Sequence, residues 1–196
     1  MNEKKDEKIN IAIMASGSGT NAENIVQYFS KEKSLSVSLI LTNKEDAFVI
    51  QRAKRHKIPC VIFNKDDFYT NDRVQSILME NHIEFIILAG FLWLIPEKII
   101  KLYHRKIINI HPALLPDFGG KGMYGNYVHQ KVIETGQKES GITIHYVNEN
   151  YDDGDILFQA RCKVDKLDTP ESLAKKIHKL EYLHYPKIIG KLLVGH

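Results

Sequence analysis

Ile9-Asn10-Ile11-Ala12-Ile13-Met14-Ala15 is an apolar run that stops at Ser16-Gly17-Ser18-Gly19-Thr20, and a helical pattern with Ile25, Val26 and Phe29 at core spacing begins at Asn21. Strand, tight turn and helix open an α/β unit. The unit then repeats along the chain. Residues 35–41 predict a second strand, 47–56 a helix, 60–63 a third strand, and Asn71 or Asp72 caps a helix reaching about His82. Residues 85–89 form a very apolar strand, Pro96 and Glu97 open a helix with Pro in its first turn, and 107–110 form the next strand. Strands apolar on both faces that alternate with helices indicate parallel pairing with both faces covered. Beyond a helix at 126–135 the texture changes, because strands at 141–147 and 156–160 are joined only by a short acidic loop. That spacing predicts a mixed edge near the C-terminus. Thr169 as N-cap and Pro170 as first helical residue open the last helix. The fold class read here is α/β, a single doubly wound, mostly parallel sheet with helices on both faces. Residues 9–196 are read as one domain, and 1–8 as a charged, disordered leader.

Composition narrows the function classes. The chain has 196 residues, 43% of them hydrophobic and 26% charged, as a globular domain does. A net charge of +3 suits small anionic substrates and is too weak and dispersed to argue for nucleic acid. Cys60 and Cys162 are far apart with no CxxC spacing, so each reads as a small buried hydrophobe and no metal site is expected. The leader lacks the apolar core of a signal peptide. The longest apolar run, 85–96, is broken by Gly90 and falls short of the roughly 18 residues a membrane span needs. The expectation is a cytoplasmic protein without membrane or nucleic-acid partners.

Gly17-x-Gly19-x-x-Ala22 superficially fits the dinucleotide fingerprint. That fingerprint also wants an acidic residue at the end of strand two, where Thr42-Asn43-Lys44 stands instead. A phosphate monoester therefore fits better than NAD. It would be cradled by backbone N–H groups at the helix start and by the hydroxyls of Ser18 and Thr20. The plainer reading is a tight strand-to-helix turn and nothing more.

Asn109-Ile110-His111-Pro112 closes an apolar strand, and the spacing of two puts both polar side chains on one face. An amide donor beside an imidazole can hold a developing oxyanion and move a proton. Asp152-Asp153-Gly154-Asp155 supplies carboxylates, one of which could orient His111; its plainer reading is an acidic hairpin loop. The glycine-rich 119–125 stretch is open to two readings, a flap beside the site or a flexible surface loop. GxSxG, Walker A and HExxH motifs are absent. His129 is read as either a supporting or a surface residue, and His145, His178 and His184 as structural.

Taken together, these stretches resemble the glycinamide ribonucleotide formyltransferase family. The likeness lies in Ala15-Ser16-Gly17-Ser18-Gly19-Thr20-Asn21, Asn43-Lys44-x-Asp46-Ala47, Leu88-Ala89-Gly90-Phe91, Asn109-Ile110-His111-Pro112-Ala113-Leu114-Leu115-Pro116 and Asp152-x-Gly154-x-Ile156, in that order. The resemblance implies a Rossmann-like formyltransferase fold. It also implies formyl transfer from 10-formyltetrahydrofolate, as cosubstrate and without a metal, to the glycinamide amine of the ribonucleotide in purine biosynthesis. By the family's roles Asn109, His111 and Asp152 carry the chemistry, and Gly19, Thr20, Asn21 and Glu181 hold the ribonucleotide. The folate side is implied at Lys65, Phe91, Leu92, Trp93, Leu94, Asn109, Asn148, Glu149, Asn150 and Tyr151. Many relatives carry a basic residue where Trp93 stands, Lys where Asp117 stands and Gly where Val49 stands. Competing readings are another folate-dependent formyltransferase, a formyl-folate hydrolase and a non-catalytic nucleotide-binding module. Oligomeric state stays open between monomer and homodimer.

Overall fold

The computed structural model describes residues 8–195; apart from Lys8, the leader expected at 1–8 lies outside the described residues. Seven strands form one mostly parallel sheet: β1 (Ile9–Met14), β2 (Leu35–Thr42), β3 (Cys60–Ile62), β4 (Phe85–Leu88), β5 (Ile107–His111), β6 (Glu139–Tyr146) and β7 (Ile156–Lys163). Their order is β3-β2-β1-β4-β5-β6-β7. The helices are α1 (Thr20–Tyr28), α2 (Val49–Arg55), α3 (Arg73–Glu80), α4 (Glu97–Leu102), α5 (Asn126–Glu134) and α6 (Pro170–Leu193). The chain divides into two compact units, one reaching Phe91 and resuming at Ile189, the other running Leu92–Ile188.

In the first unit β1 pairs with β2 and β4, and β2 with β3, all in parallel. Ile11 to Met14 and all four residues of β4 are buried, which is why these runs carry no polar alternation. Fully burying each such aliphatic side chain contributes about 1.5–3 kcal/mol. Helix α1 turns Ala22, Ile25 and Val26 inward, and α3 turns in Val74 and Leu78. Between β3 and α3 the sequence reading missed a single π-helical turn, Asp66–Thr70. Its entry is fixed by a reciprocal pair, Asp67 N–H to Asn64 Oδ1 at 2.9 Å and Asn64 N–H to Asp67 Oδ2 at 3.1 Å. Short polar side chains make such local bonds without leaving a periodicity to read. At the start of α3 the N-cap is Asp72, one of the two residues expected, but it makes no side-chain cap bond; the Asn71 side-chain oxygen instead accepts the Arg73 N–H at 3.0 Å.

In the second unit β5, β6 and β7 are antiparallel, as the short acidic connection predicts. The register sets Asn109 opposite His145 and His111 opposite Thr143. Strands β6 and β7 extend beyond the expected segments at both outer ends, to Glu139 and Lys163, where polar residues had hidden them. Pro96 precedes α4 as its cap, in extended backbone, and its carbonyl accepts the Ile99 and Ile100 N–H groups. It therefore sits one residue earlier than the first-turn position expected. Helix α6 does begin at Pro170, with Thr169 Oγ1 accepting the Ser172 N–H at 3.2 Å as an N-cap should. The buried Tyr185 hydroxyl donates to the Ile108 carbonyl at 3.3 Å and so ties α6 to β5.

Gly141 on β6 faces the backbone of β7: a Cβ there would run into the Ala160 carbonyl oxygen and stand 2.7 Å from Leu114 Cδ2. Gly141→Ala should cost about 2–3 kcal/mol or more of unfolding free energy, because backbone rather than a flexible side chain has to move. Urea unfolding of the variant checks this, and an unchanged midpoint would show that β7 is free to shift.

Candidate active site

Asn109 and His111 sit on the last strand positions of β5, two residues apart, and the structure brings both to one carboxylate. Asn109 Nδ2 donates to Asp152 Oδ1 at 3.4 Å, while His111 Nδ1 lies 3.5 Å from Asp152 Oδ2. The backbone N–H of Gly120 also donates to Oδ2, at 3.0 Å. On the other side of the imidazole, His111 Nε2 is 2.8 Å from the Phe118 carbonyl oxygen. A carbonyl only accepts, so Nε2 carries the hydrogen. The first residues of the glycine-rich stretch are thus bound to the site through both Phe118 and Gly120.

Two residues of this arrangement hold left-handed backbone without being glycine: Phe118 at φ 56° and Asp152 at φ 55°. Such conformations are uncommon outside glycine and persist where surrounding contacts over-determine them. At Gly119, which follows Phe118, a Cβ would meet Leu115 Cδ2 at 2.6 Å, so the Leu115 side chain would have to move.

The electrostatics follow from burial and from the partners. Burial pushes the His111 pKa down, and the Asp152 charge only partly restores it, so the ring is held below its ordinary 6.5. For Asp152 burial acts upward, but His145, the His111 charge and the Gly120 N–H together outweigh it, and the carboxyl ends lowered. The acid of the pair stays ionised while the imidazole stays mostly neutral, poised to gain a proton.

His145, expected to be structural, belongs to this constellation. Its Nε2 lies 3.2 Å from Asn109 Nδ2 and 3.7 Å from Asp152 Oδ1, and its Nδ1 gives its hydrogen to the Tyr146 carbonyl at 2.8 Å. With Nδ1–H committed, a neutral ring accepts from the Asn109 amide and fixes which way that amide points. The clue lay in strand pairing: His145 faces Asn109 only through the antiparallel register, which no local pattern reveals. His129, on α5, is buried at 2% exposure, and its Nδ1 has no hydrogen-bond partner. Glu181, on α6, is buried at 5%, with His178 Nδ1 2.8 Å from Oε2.

The remaining expected site residues are distributed as follows. Gly19 takes φ 70° at the head of α1, where a Cβ would strike Val49 Cγ2 at 2.5 Å, and Thr20 and Asn21 are the first two helical residues. Ser16 N–H donates to the Gly90 carbonyl at 3.0 Å, which joins the ends of β1 and β4. The strand order reverses direction there, the position at which open α/β sheets bind ligands. Phe91 packs in an aromatic cluster, its ring 6.1 Å from Phe63 and 5.6 Å from Phe68. Leu92, Trp93 and Leu94 are half-buried, and Lys65 is exposed at the start of the π-helical turn. Asn148 and Asn150 both donate to Asp153 Oδ2, at 3.2 and 3.0 Å, which orders the loop that presents Asp152; Glu149 and Tyr151 in that loop are exposed. Among the described residues no group of three or more His, Cys, Asp or Glu side chains is placed to hold a metal ion, and no helix is long and apolar enough to cross a membrane.

An α/β sheet with a glycine turn after its first strand, and an Asn–His pair on its fifth facing a carboxylate of the β6–β7 loop, defines the class: a doubly wound α/β architecture with a polar constellation at a strand end. The chain matches the formyl transferase family over residues 9–189 and belongs to it. It is 37% identical over 187 residues to phosphoribosylglycinamide formyltransferase of Bacillus subtilis, covering 93% of each chain. It is 39% identical over 188 residues to the chloroplastic phosphoribosylglycinamide formyltransferase of Arabidopsis thaliana, covering 93% of this chain but 64% of that one. It thus spans somewhat less than two thirds of the plant relative. Among solved structures, phosphoribosylglycinamide formyltransferase from Bacillus halodurans superposes with a TM-score of 0.85 at 37% identity, covering 94% of this chain and 95% of the other.

The buried His129 gives the site a measurable pH dependence. Burial lowers its pKa from 6.5 to about 4. The unfolded chain therefore binds its proton first, so the stability this residue contributes is complete above about pH 6.5 and is lost as pH falls toward 4. At pH 5 the loss is about 2 kcal/mol relative to neutral pH. The raised pKa of His178 acts in the opposite sense, its stability being complete below 6.5 and lost as pH rises. In His129→Gln the fall in unfolding free energy between pH 7.5 and 5 should shrink by about that amount, and an unaltered pH dependence would show that His129 is solvated.

Proposed function

We propose that this protein transfers the formyl group of 10-formyltetrahydrofolate to the glycinamide amine of glycinamide ribonucleotide, a step of purine biosynthesis, and that it works in the cytoplasm. The observation that carries the reading is the single Asp152 carboxylate reached by both Asn109 and His111, in a chain of the formyl transferase family.

The amine nitrogen attacks the formyl carbon, the formyl oxygen gains negative charge, and the nitrogen must shed a proton while the folate nitrogen takes one up. Asn109 gives its two N–H groups to His145 Nε2 and Asp152 Oδ1, and the longer bond, to Asp152, is the one it exchanges for the developing oxyanion while His145 keeps the amide oriented. His111 carries a donor at Nε2, now given to the Phe118 carbonyl, which becomes available when that contact opens. Once the Phe118 contact opens, nothing fixes the ring hydrogen at Nε2; with Nδ1–H given to Asp152 the neutral ring accepts the amine's proton at Nε2, and the ionised Asp152 stabilises the imidazolium that results, which can pass a proton on to the folate nitrogen. Donors fixed before the reaction are worth most, since nothing must reorganise as charge develops.

In this reading Gly19, Thr20 and Asn21 hold the ribonucleotide's phosphate through the N–H groups and hydroxyl at the start of α1, and Glu181 takes its amine or ribose end. The folate is assigned to Leu92, Trp93 and Leu94, with the 148–151 loop, and Lys65 is assigned to its glutamate tail. Phe91 is assigned to the folate as well, and its ring is packed against Phe63 and Phe68.

Release of tetrahydrofolate from 10-formyltetrahydrofolate, followed by absorbance, should require glycinamide ribonucleotide. Release without the ribonucleotide would indicate a hydrolase, and no release by folded protein would indicate another acceptor. His111→Ala should lower kcat about a hundredfold or more with modest change in KM; a variant retaining a third of the rate would remove His111 from the mechanism. Thr20→Val should raise the KM for the ribonucleotide, whereas a rise confined to the folate KM would contradict the phosphate assignment.

A further inference from the structure

Glu23 lies in the first turn of α1, the helix end that the proposed function gives to a phosphate. A carboxylate there opposes an anion. The structure surrounds it with side chains of α2 and its C-cap: Arg52 Nη1 bonds Glu23 Oε2, Arg55 Nη1 donates to Oε1 at 2.9 Å, and His56 Nε2 lies 3.4 Å from Oε1. Of these, Arg52 does more than neutralise. Its Nε–H donates to the Ser18 carbonyl inside the glycine turn at 2.8 Å, and its guanidinium stands over the Phe48 ring at 5.1 Å.

Two neighbouring carbonyls of the turn are committed as well. Gly17 accepts the Val49 N–H at 3.2 Å, and Gly19 accepts the Glu23 N–H at 2.9 Å in the first bond of α1. With the oxygens of Gly17 and Ser18 drawn toward α2, the side of the turn left to a ligand carries N–H groups. An anion approaching a turn whose Ser18 carbonyl was loose would meet oxygen as well as N–H.

We propose that Arg52 is a positioning residue for phosphate-monoester recognition, holding the Ser18 carbonyl off the anion and cancelling Glu23. The proposal rests on the phosphate reading of the glycine turn. The role needs arginine, because one planar fork sends Nε to Ser18 and Nη1 to Glu23 while lying on Phe48. A lysine ammonium keeps the charge and loses this two-point geometry.

The test measures ribonucleotide affinity by calorimetry and steady-state kinetics in the wild type, Arg52→Met, Arg52→Lys and the double variant Glu23→Gln/Arg52→Met, with melting curves as the folding control. Arg52→Met should raise the Kd and KM for glycinamide ribonucleotide about tenfold or more, with kcat within about threefold and the formyl-folate KM unchanged. Arg52→Lys should fall between, and the double variant should stay weak. Affinity within about twofold of wild type in Arg52→Met overturns the proposal. So does restored affinity in the double variant, which would assign the whole effect to the Glu23 charge. If Arg52→Met does not fold, Arg52→Lys decides, and wild-type affinity there is the contrary result. A wild-type protein binding neither the ribonucleotide nor inorganic phosphate would instead overturn the phosphate reading beneath the proposal, a result distinguishable because it precedes any substitution.

Discussion

The site depends on one carboxylate held where it would rather not be charged. Asp152 is largely removed from water, and its carboxylate takes hydrogen bonds from the Asn109 amide and the Gly120 N–H, with ring nitrogens of His111 and His145 at 3.5 and 3.7 Å. Burial acts to raise a carboxyl's pKa, so these partners are also what keeps the charge. Removing any of them changes the field at the others. That coupling makes Asn109, His111 and His145 a unit rather than three independent polar residues.

Local backbone geometry serves the same centre. Phe118 and Asp152 both adopt left-handed conformations, one to aim its carbonyl at His111 and the other to bring its side chain back over β5. Gly119 and Gly120 allow the chain between them to press against Leu115 and to offer an N–H to the carboxylate. In the first unit the glycine turn is braced in the same manner, through Val49 and Arg52 at the start of α2.

What could be read from the sequence had a local physical signature. The apolar runs at β1 and β4 announce buried parallel strands because nothing polar can survive on either face. Thr169 and Pro170 announce α6 because a cap and a fixed φ act within one turn. Asn109 and His111 could be placed on one face because strand periodicity is two. His145 could not be joined to them, since its partnership comes from antiparallel register between β5 and β6, a long-range property. Arg52 was hidden for a related reason: its bonds reach back 29 and 34 residues, to Glu23 and Ser18. The π-helical turn at Asp66–Thr70 rests on side-chain bonds with no repeating pattern. The burial of Glu181 and the lowered pKa of His129 likewise follow only from packing.

The central claim is that the negative charge on Asp152 organises the chemistry, and Asp152→Asn isolates it because the side chain keeps its shape. Single-turnover formyl transfer to glycinamide ribonucleotide is the measurement. The account predicts a rate about a hundredfold or more below wild type, with ribonucleotide binding within about threefold. A variant that transfers formyl within about threefold of the wild-type rate would contradict it.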